Sequence, residues 1–418
     1  MRKKIDNIIL MCALILGIWG IIMVISTTFN TAAYSGLYVK QILAFIIGFL
    51  LLFIMKNFSY KILEELSPVI YLITIFLLLY VLVFGAKIHG SKRWIDLGFF
   101  HLQPVEFAKI AVILLLAHFF EKRANIVTGM LAVGLVMGLV LVQPDAGSAL
   151  IFIPVFLGML AISRYNTSWM VVVLPFAIIT GGTLLLESYM GIKSDTLLNI
   201  KYLLFPAGLS LLIALVFREI KKIKRYVRIA YLIGILAILW ISLAAGIVGS
   251  NILRDYQKKR IVSFIVPEID PLGAGYNTRQ SILAVGSGKI FGKGLFAGTQ
   301  TQLGFLPVKH NDFIFAAVSE EMGFAGAMIM LFILGLLLWQ NLNILDRIED
   351  YGGRLVACGI FILIFSQTVL NVGVVLGMMP VVGIQLPLVS YGGTGMVTVL
   401  VMLGILMNIN KRTEIIGQ

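Results

Sequence analysis

Charge is scarce in this chain. Asp, Glu, Lys and Arg make up 13% of its 418 residues, while 60% are hydrophobic and the mean hydropathy is +1.00. So little charge excludes an ordinary soluble globular domain. Cysteine is nearly missing too: Cys12 and Cys358 each sit inside an apolar run, in no Cys-x-x-Cys or Cys/His metal pattern, and read as small core residues. The four histidines, His89, His101, His118 and His310, do not cluster, and His310-x-Asp312 offers too few ligands for a metal. There is no repeat of 20–50 residues, which argues against a solenoid or a duplicated transporter. No linker divides the chain, so residues 1–418 read as a single membrane domain. A phosphate loop is absent as well. Gly292-Lys293 has Ser287 where the first Gly belongs and Gly294 where Ser or Thr belongs, so no nucleotide is expected.

What is present is a series of apolar runs of helical length. They lie near 7–26, 38–55, 66–85, 104–120, 125–142, 146–163, 169–187, 201–217, 228–249, 312–338, 355–378 and 388–410. They predict an all-α polytopic membrane protein with about 10–12 transmembrane helices. The first run follows Arg2, Lys3 and Lys4 and ends without a cleavage site, so it reads as an uncleaved span. The net charge of +13 would suggest nucleic acid in a soluble protein. Here the cations fall in short links, with no basic stripe interleaved with aromatics, so topology and anionic membrane lipid explain them better. Alternate links are basic: Lys56 and Lys61, Lys122 and Arg123, Arg164, the 218–228 cluster, Arg347 and Arg354, Lys411 and Arg412. That alternation predicts cytoplasmic termini and puts residues 250–311 outside. Lys87, Lys92 and Arg93 break the rule, and an anionic ligand on the outer side would explain them.

Residues 250–311 form the one long stretch that is no membrane span. The expectation is a folded, solvent-side extracellular loop whose Tyr256, Phe264, Tyr276, Phe291, Phe296 and Phe305 are buried. Acids in or beside spans are costly and therefore candidates for function. Glu106 and Lys109 lie three apart and can pair on one helix face. Asp145 follows Gln143-Pro144 at a helix end, Glu320 and Glu321 stand inside an apolar run, and Asp312 is placed to cap the helix that follows it. Asp270 precedes Pro271, which forces an extended or turn conformation there, with Gly273 and Gly275 beyond it. A turn-capping role and a catalytic role both fit it.

Several stretches carry a family resemblance: Gly90-Ser91-Lys92-Arg93-Trp94-Ile95-Asp96, Gln103-Pro104-Val105-Glu106-Phe107-Ala108-Lys109, Gln143-Pro144-Asp145, DPLGAGYNTRQS, GKGLFAGTQTQLGFLP, HNDFIFAAVSEEMGFAG and Gly383-Ile384-Gln385-Leu386-Pro387-Leu388-Val389-Ser390-Tyr391-Gly392-Gly393. In order and over nearly the whole chain they resemble the SEDS family (shape, elongation, division and sporulation), in its elongation branch. The resemblance implies a peptidoglycan glycosyltransferase of the bacterial cytoplasmic membrane, with its active site on the extracytoplasmic face. It would polymerise lipid II for cell elongation and shape, beside a class B penicillin-binding protein. The family's catalytic acid falls on Asp270 and its acid–base pair on Glu106 and Lys109.

An inverting transfer with release of undecaprenyl diphosphate needs one carboxylate as general base and positive charge on the leaving group. Asp270 would be the base. Lys92, Arg93, Lys109, Arg260 and Lys293 are candidates for binding the diphosphate, and Glu106, Asp145, His310 and Asp312 complete the substrate-binding set. A divalent cation is compatible with that role, though no ligand set for one is readable. The alternatives are a flippase for lipid-linked sugars and a structural scaffold for the penicillin-binding protein. Family members have ten spans, so residues 188–228 read as an insertion with an extra span and a basic cytoplasmic loop. Val308-Lys309 and Asn311 also depart from the family's acid and Thr around the loop histidine.

Overall fold

The computed structural model describes residues 2–29, 34, 36–88, 91–165, 258, 263–264, 273–306 and 309–416. The chain divides into two compact units, 1–164 with 277–418, and 165–276. Only the first is described at length.

Its helices are α1 (Arg2–Thr28), α2 (Leu37–Asn57), the short α3 (Tyr60–Glu65), α4 (Ser67–Phe84), α5 (Pro104–Glu121), α6 (Ile126–Val142), α7 (Ala146–Ile162), α8 (Ala274–Ser287), the single turn α9 (Thr299–Gln302), α10 (Ile314–Leu345), α11 (Tyr351–Val375) and α12 (Gly393–Ile416). Among the described residues, α1, α2, α4, α10, α11 and α12 contain stretches long and apolar enough to cross a membrane, and α6 and α7 are shorter apolar helices. The expected spans at 169–187, 201–217 and 228–249, with the proposed insertion at 188–228, lie outside the described residues.

α5 is the central helix. Val105, Ala108, Val112, Leu114, Leu116 and Phe120 are all buried, and it touches α4, α6, α7, α11 and α12. α2 packs along α12 through small residues. A Cβ at Gly48 would overlap Leu400, and one at Gly404 would stand 2.5 Å from the Leu52 carbonyl oxygen. Without a hydrophobic drive between helices inside lipid, such close backbone approach is what holds them together.

A small antiparallel sheet, not expected from the sequence, joins α4 to α5: β1 (Ala86–Ile88), β2 (Ser91–Asp96) and β3 (His101–Leu102), in the order β1-β2-β3. Asp96 accepts the Gly98 N–H at 2.8 Å in the β2–β3 turn, where Gly98 takes φ 81. β2 rests on the end of α4.

α10 is not one helix. Gly323 has φ 70 and ψ −171, so the helix breaks there and restarts at Phe324. The preceding loop takes up the backbone groups freed by the break. Lys293 N donates to Glu320 O (3.0 Å), Gly294 N to Glu321 O (2.9 Å), Phe324 N to Lys289 O (2.8 Å) and Ala325 N to Ile290 O (3.0 Å). Irregular backbone near membrane depth survives only when protein satisfies it.

Candidate functional site

Four structural elements meet at one end of the bundle: the N-termini of α5, α7 and α12, and the C-terminus of α11. α5 starts with Pro104 at its first position, and that start points Glu106 and Lys109 inward. Lys109 Nζ donates to Glu106 Oε1 at 2.6 Å, with Glu106 5% and Lys109 3% exposed. The helix N-terminus favours the negative partner in its first turn. The pair borders a narrow, water-sized cavity together with Gln103, Ser148, Gln367 and Gln385. A Cβ at Gly395 would overlap the Gln385 carboxamide and come within 3.4 Å of Glu106 Oε2. Gly395 therefore makes the space these two groups occupy.

Asp145 caps α7. Its Oδ1 accepts Ser148 N at 3.3 Å, and its Oδ2 accepts Ser148 Oγ at 2.9 Å and Gln103 Nε2 at 3.2 Å. Arg93 reaches it from β2, with Nη1 3.6 Å from Asp145 Oδ1. The same guanidinium donates from Nε to Gln143 O at 3.2 Å and from Nη2 to Pro144 O. Arg93 thus binds the whole 143–145 turn. Lys92, its neighbour, is exposed and donates to Val83 O at 2.9 Å.

His310 and Asp312 lie on a turn stitched to residues 383–391. Tyr391 N donates to His310 O (2.8 Å), and Ser390 Oγ to Asn311 O (2.8 Å). Asn371 Nδ2 spans Asp312 O (2.8 Å) and Ile384 O (2.7 Å). The His310 ring lies between Tyr34 and Tyr391, with ring centroids 4.5 and 5.6 Å away. Asp312 is not the helix cap expected of it. Phe313 occupies the cap position without a side-chain cap bond, and α10 begins at Ile314. Lys309 is buried and donates to Thr301 O. Burial pushes its ammonium below the usual lysine range, against the opposing pull of Glu321 and Glu320.

Lys293 stands apart from the cavity, on a second polar centre. Its Nζ lies 2.8 Å from Glu320 Oε1. Glu320 is fully buried and also accepts the N–H groups of Gln300 (2.8 Å) and Thr301 (2.9 Å), at the open end of α9. Glu321 accepts Ser26 Oγ at 2.6 Å from α1 and Gln302 Nε2 at 3.1 Å. The two acids fasten the GKGLFAGTQTQ segment onto α10 and α1.

The structure therefore places Glu106 and Lys109 on one cavity, with Asp145 bonded to its lining residues Gln103 and Ser148 and Arg93 beside Asp145. His310 and Asp312 are tied to the loop that forms the cavity's far wall, with Lys92 at the margin and Lys293 elsewhere. Asp270 and Arg260 lie outside the described residues. Sequence reasoning missed Gln367 and Asn371. Both are buried on one face of α11, four residues apart, and amides inside an apolar span are themselves a signal. Besides the Asp312 cap, a second expectation is overturned. Three of the loop aromatics are not buried: Phe291 is 85% exposed, and Phe296 and Phe305 are also open, while Phe264 and Tyr276 are half-buried and Tyr256 lies outside the described residues.

A helical membrane body that gathers buried carboxylates, cations and amides at one end defines a polytopic protein with an intramembrane polar site. Residues 6–199 and 207–415 match the family model described as Cell cycle protein, that of FtsW, RodA and SpoVE. The chain belongs to this family, which is the SEDS family its motifs resemble. It is 33% identical to the peptidoglycan glycosyltransferase RodA of Treponema pallidum (strain Nichols), over 97% of this chain and 98% of that one. It is 33% identical to the peptidoglycan glycosyltransferase MrdB of Escherichia coli (strain K12), over 92% of this chain and 88% of that one. Among solved structures, a peptidoglycan synthase complex that coordinates polymerization and crosslinking matches with a TM-score of 0.65 at 26% identity, over 97% of each chain. The rod shape determining protein RodA of Thermus thermophilus shares the fold, with a TM-score of 0.59 at 23% identity over 96% of this chain.

Proposed function

We infer that the chain is a peptidoglycan glycosyltransferase, a lipid II polymerase of the RodA type. The observation that carries this is a 33% identity to a named RodA over 97% of the chain. The buried polar site at one end of the bundle is the kind of feature such an enzyme needs.

The reaction joins the hydroxyl of one saccharide to the anomeric carbon of another and releases undecaprenyl diphosphate. One displacement with inversion needs a single general base. Asp270 is that base in this reading, supported by its place in the DPLGAGYNTRQS motif. Glu106 and Asp145 are poor rivals for the role, because each is already engaged: Glu106 by Lys109, and Asp145 by Ser148, Gln103 and Arg93. Their part is to hold the outer ends of α5 and α7 rigid under the substrate. The exposed Lys92 and the loop cation Arg260 are the groups assigned to the diphosphate, where fixed positive charge stabilises the departing anion. A divalent cation could share that load.

The partner in this reading is a class B penicillin-binding protein, and the site faces outward from the bacterial cytoplasmic membrane. The match to a synthase complex and the alternation of basic links support these points. The test is polymerisation of purified lipid II by the purified protein, with and without that partner. Glycan strands made by the wild-type protein support the assignment, and lipid II left unchanged under both conditions removes it.

A further inference from the structure

The loop between α8 and α10 turns its largest apolar side chains outward. Ile290 and Phe291 are exposed, as are Leu295, Phe296 and Leu303, and Phe29 at the end of α1 is 73% exposed. This surface is held in place. Phe29 meets Phe296 edge-on at 5.6 Å, Phe296 N donates to Ser26 Oγ at 3.2 Å, and Gln302 Nε2 donates to Ser26 O at 2.9 Å. On its other side, Ile290 O accepts Ala325 N at 3.0 Å, which sets it beside the exposed Phe324.

Two separate rulers locate this patch relative to a bilayer. From the break at Gly323, α10 runs about 22 residues to Leu345, where Asp346 and Arg347 follow; that is about 33 Å of helix. α1 runs from its charged start, Arg2 to Asp6, to Thr28, which is about 33 Å beyond the charges. A hydrocarbon core is about 30 Å thick. With the charged ends of both helices at one face, Phe324 and Phe29 reach the opposite boundary together. On α10 the exposed apolar residues Phe332, Ile329 and Met328 lead up to Phe324 beside the loop, and α1 exposes Ile15, Ile18 and Ile22 below Phe29.

We propose that residues 289–305, with Phe29, form a membrane-interface wedge that rests in the headgroup boundary of the bilayer, with Ile290, Phe291, Leu295, Phe296 and Leu303 towards the acyl chains. Lys289 is exposed at the same edge and extends its ammonium to lipid phosphate. The Glu320–Lys293 and Glu321–Ser26 contacts fix the height of the wedge on the helices beneath.

Site-directed spin labelling of the full chain tests this. Phe291→Cys and Leu303→Cys are made separately in a Cys12→Ser, Cys358→Ser background and reconstituted in phosphatidylethanolamine–phosphatidylglycerol nanodiscs. Phe332→Cys serves as the lipid reference and Glu349→Cys as the water reference. The ratio of collisions with oxygen to collisions with a water-soluble nickel chelate is expected to be several-fold higher at 291 and 303 than at 349, and lower than at 332. A ratio at both sites equal to that at 349 overturns the proposal in favour of free solvent. Low collision rates with both reagents overturn it in favour of a protein cover, such as a second copy.

Discussion

Gly292 and Gly323 meet backbone to backbone, and neither position admits a side chain. A Cβ on Gly323 would overlap the Gly292 nitrogen and the Ile290 carbonyl, and one on Gly292 would overlap the Glu321 carbonyl. Both residues also take positive φ, 81 at Gly292 and 70 at Gly323.

Gly323→Ala is therefore expected to destabilise the protein by about 2–4 kcal/mol, combining left-handed backbone strain with overpacking. Thermal unfolding in detergent checks this. A variant as stable as wild type would mean that the break in α10 tolerates a side chain.

The Glu106–Lys109 pair gives a double-mutant test. Glu106→Gln leaves the Lys109 ammonium buried without its counter-charge, and Lys109→Met does the same to Glu106. Each single change should cost about 3–5 kcal/mol, and the double change less than either. Thermal stability and lipid II polymerisation are measured on all three. Single variants that are stable and fully active would make the pair incidental.

Asp270→Asn separates a base from a turn residue, since Asn caps a turn almost as well as Asp. The variant should insert, keep its thermal stability and lose polymerisation by about 10²–10⁴-fold. Wild-type activity in it removes Asp270 as the base.

At the opposite end of the bundle, Glu64 on α3 is buried against Glu121, and both carboxyls press on Gly352. Burial first, then the hydrogen bond and charge of Glu121, raise Glu64 from 4.5 to about 8, with Glu65 adding and Lys61 opposing. The folded protein then binds a proton more tightly than the unfolded chain does. The stability linked to this proton is complete below about pH 4.5 and is lost as pH rises to about 8. Melting temperature should fall across that range in wild type and fall less in Glu64→Gln. Parallel profiles would exclude a shared proton.

The helical body was legible because apolar runs of spanning length announce themselves. Nine of the runs read from the sequence coincide with described helices, from Arg2–Thr28 to Gly393–Ile416. Glu106–Lys109 was legible because i and i+3 must share a face. The lock of Glu320 and Glu321 on residues 293–302 was not, because its partners come from a loop and from α1, joined only in three dimensions. The loop aromatics misled for a related reason. Composition says that apolar groups will leave water, and it does not say whether protein or lipid receives them. The cap expected of Asp312 failed by one position, since α10 starts with Phe313 at its cap and tertiary bonds hold Asp312's backbone instead.

The break at Gly323 also orders the events of biogenesis. The loop that supplies Lys289, Ile290, Lys293 and Gly294 precedes α10 in the chain, so the backbone groups that receive Glu320, Glu321, Phe324 and Ala325 are made before them. The stretch from Phe324 to Leu345 can then enter the bilayer alone, as an uncharged apolar helix. Glu320 and Glu321 stand just ahead of that stretch, and the loop made before them holds their charges in the finished fold. The same contacts that shape the finished protein thus set the depth at which its tenth described helix comes to rest.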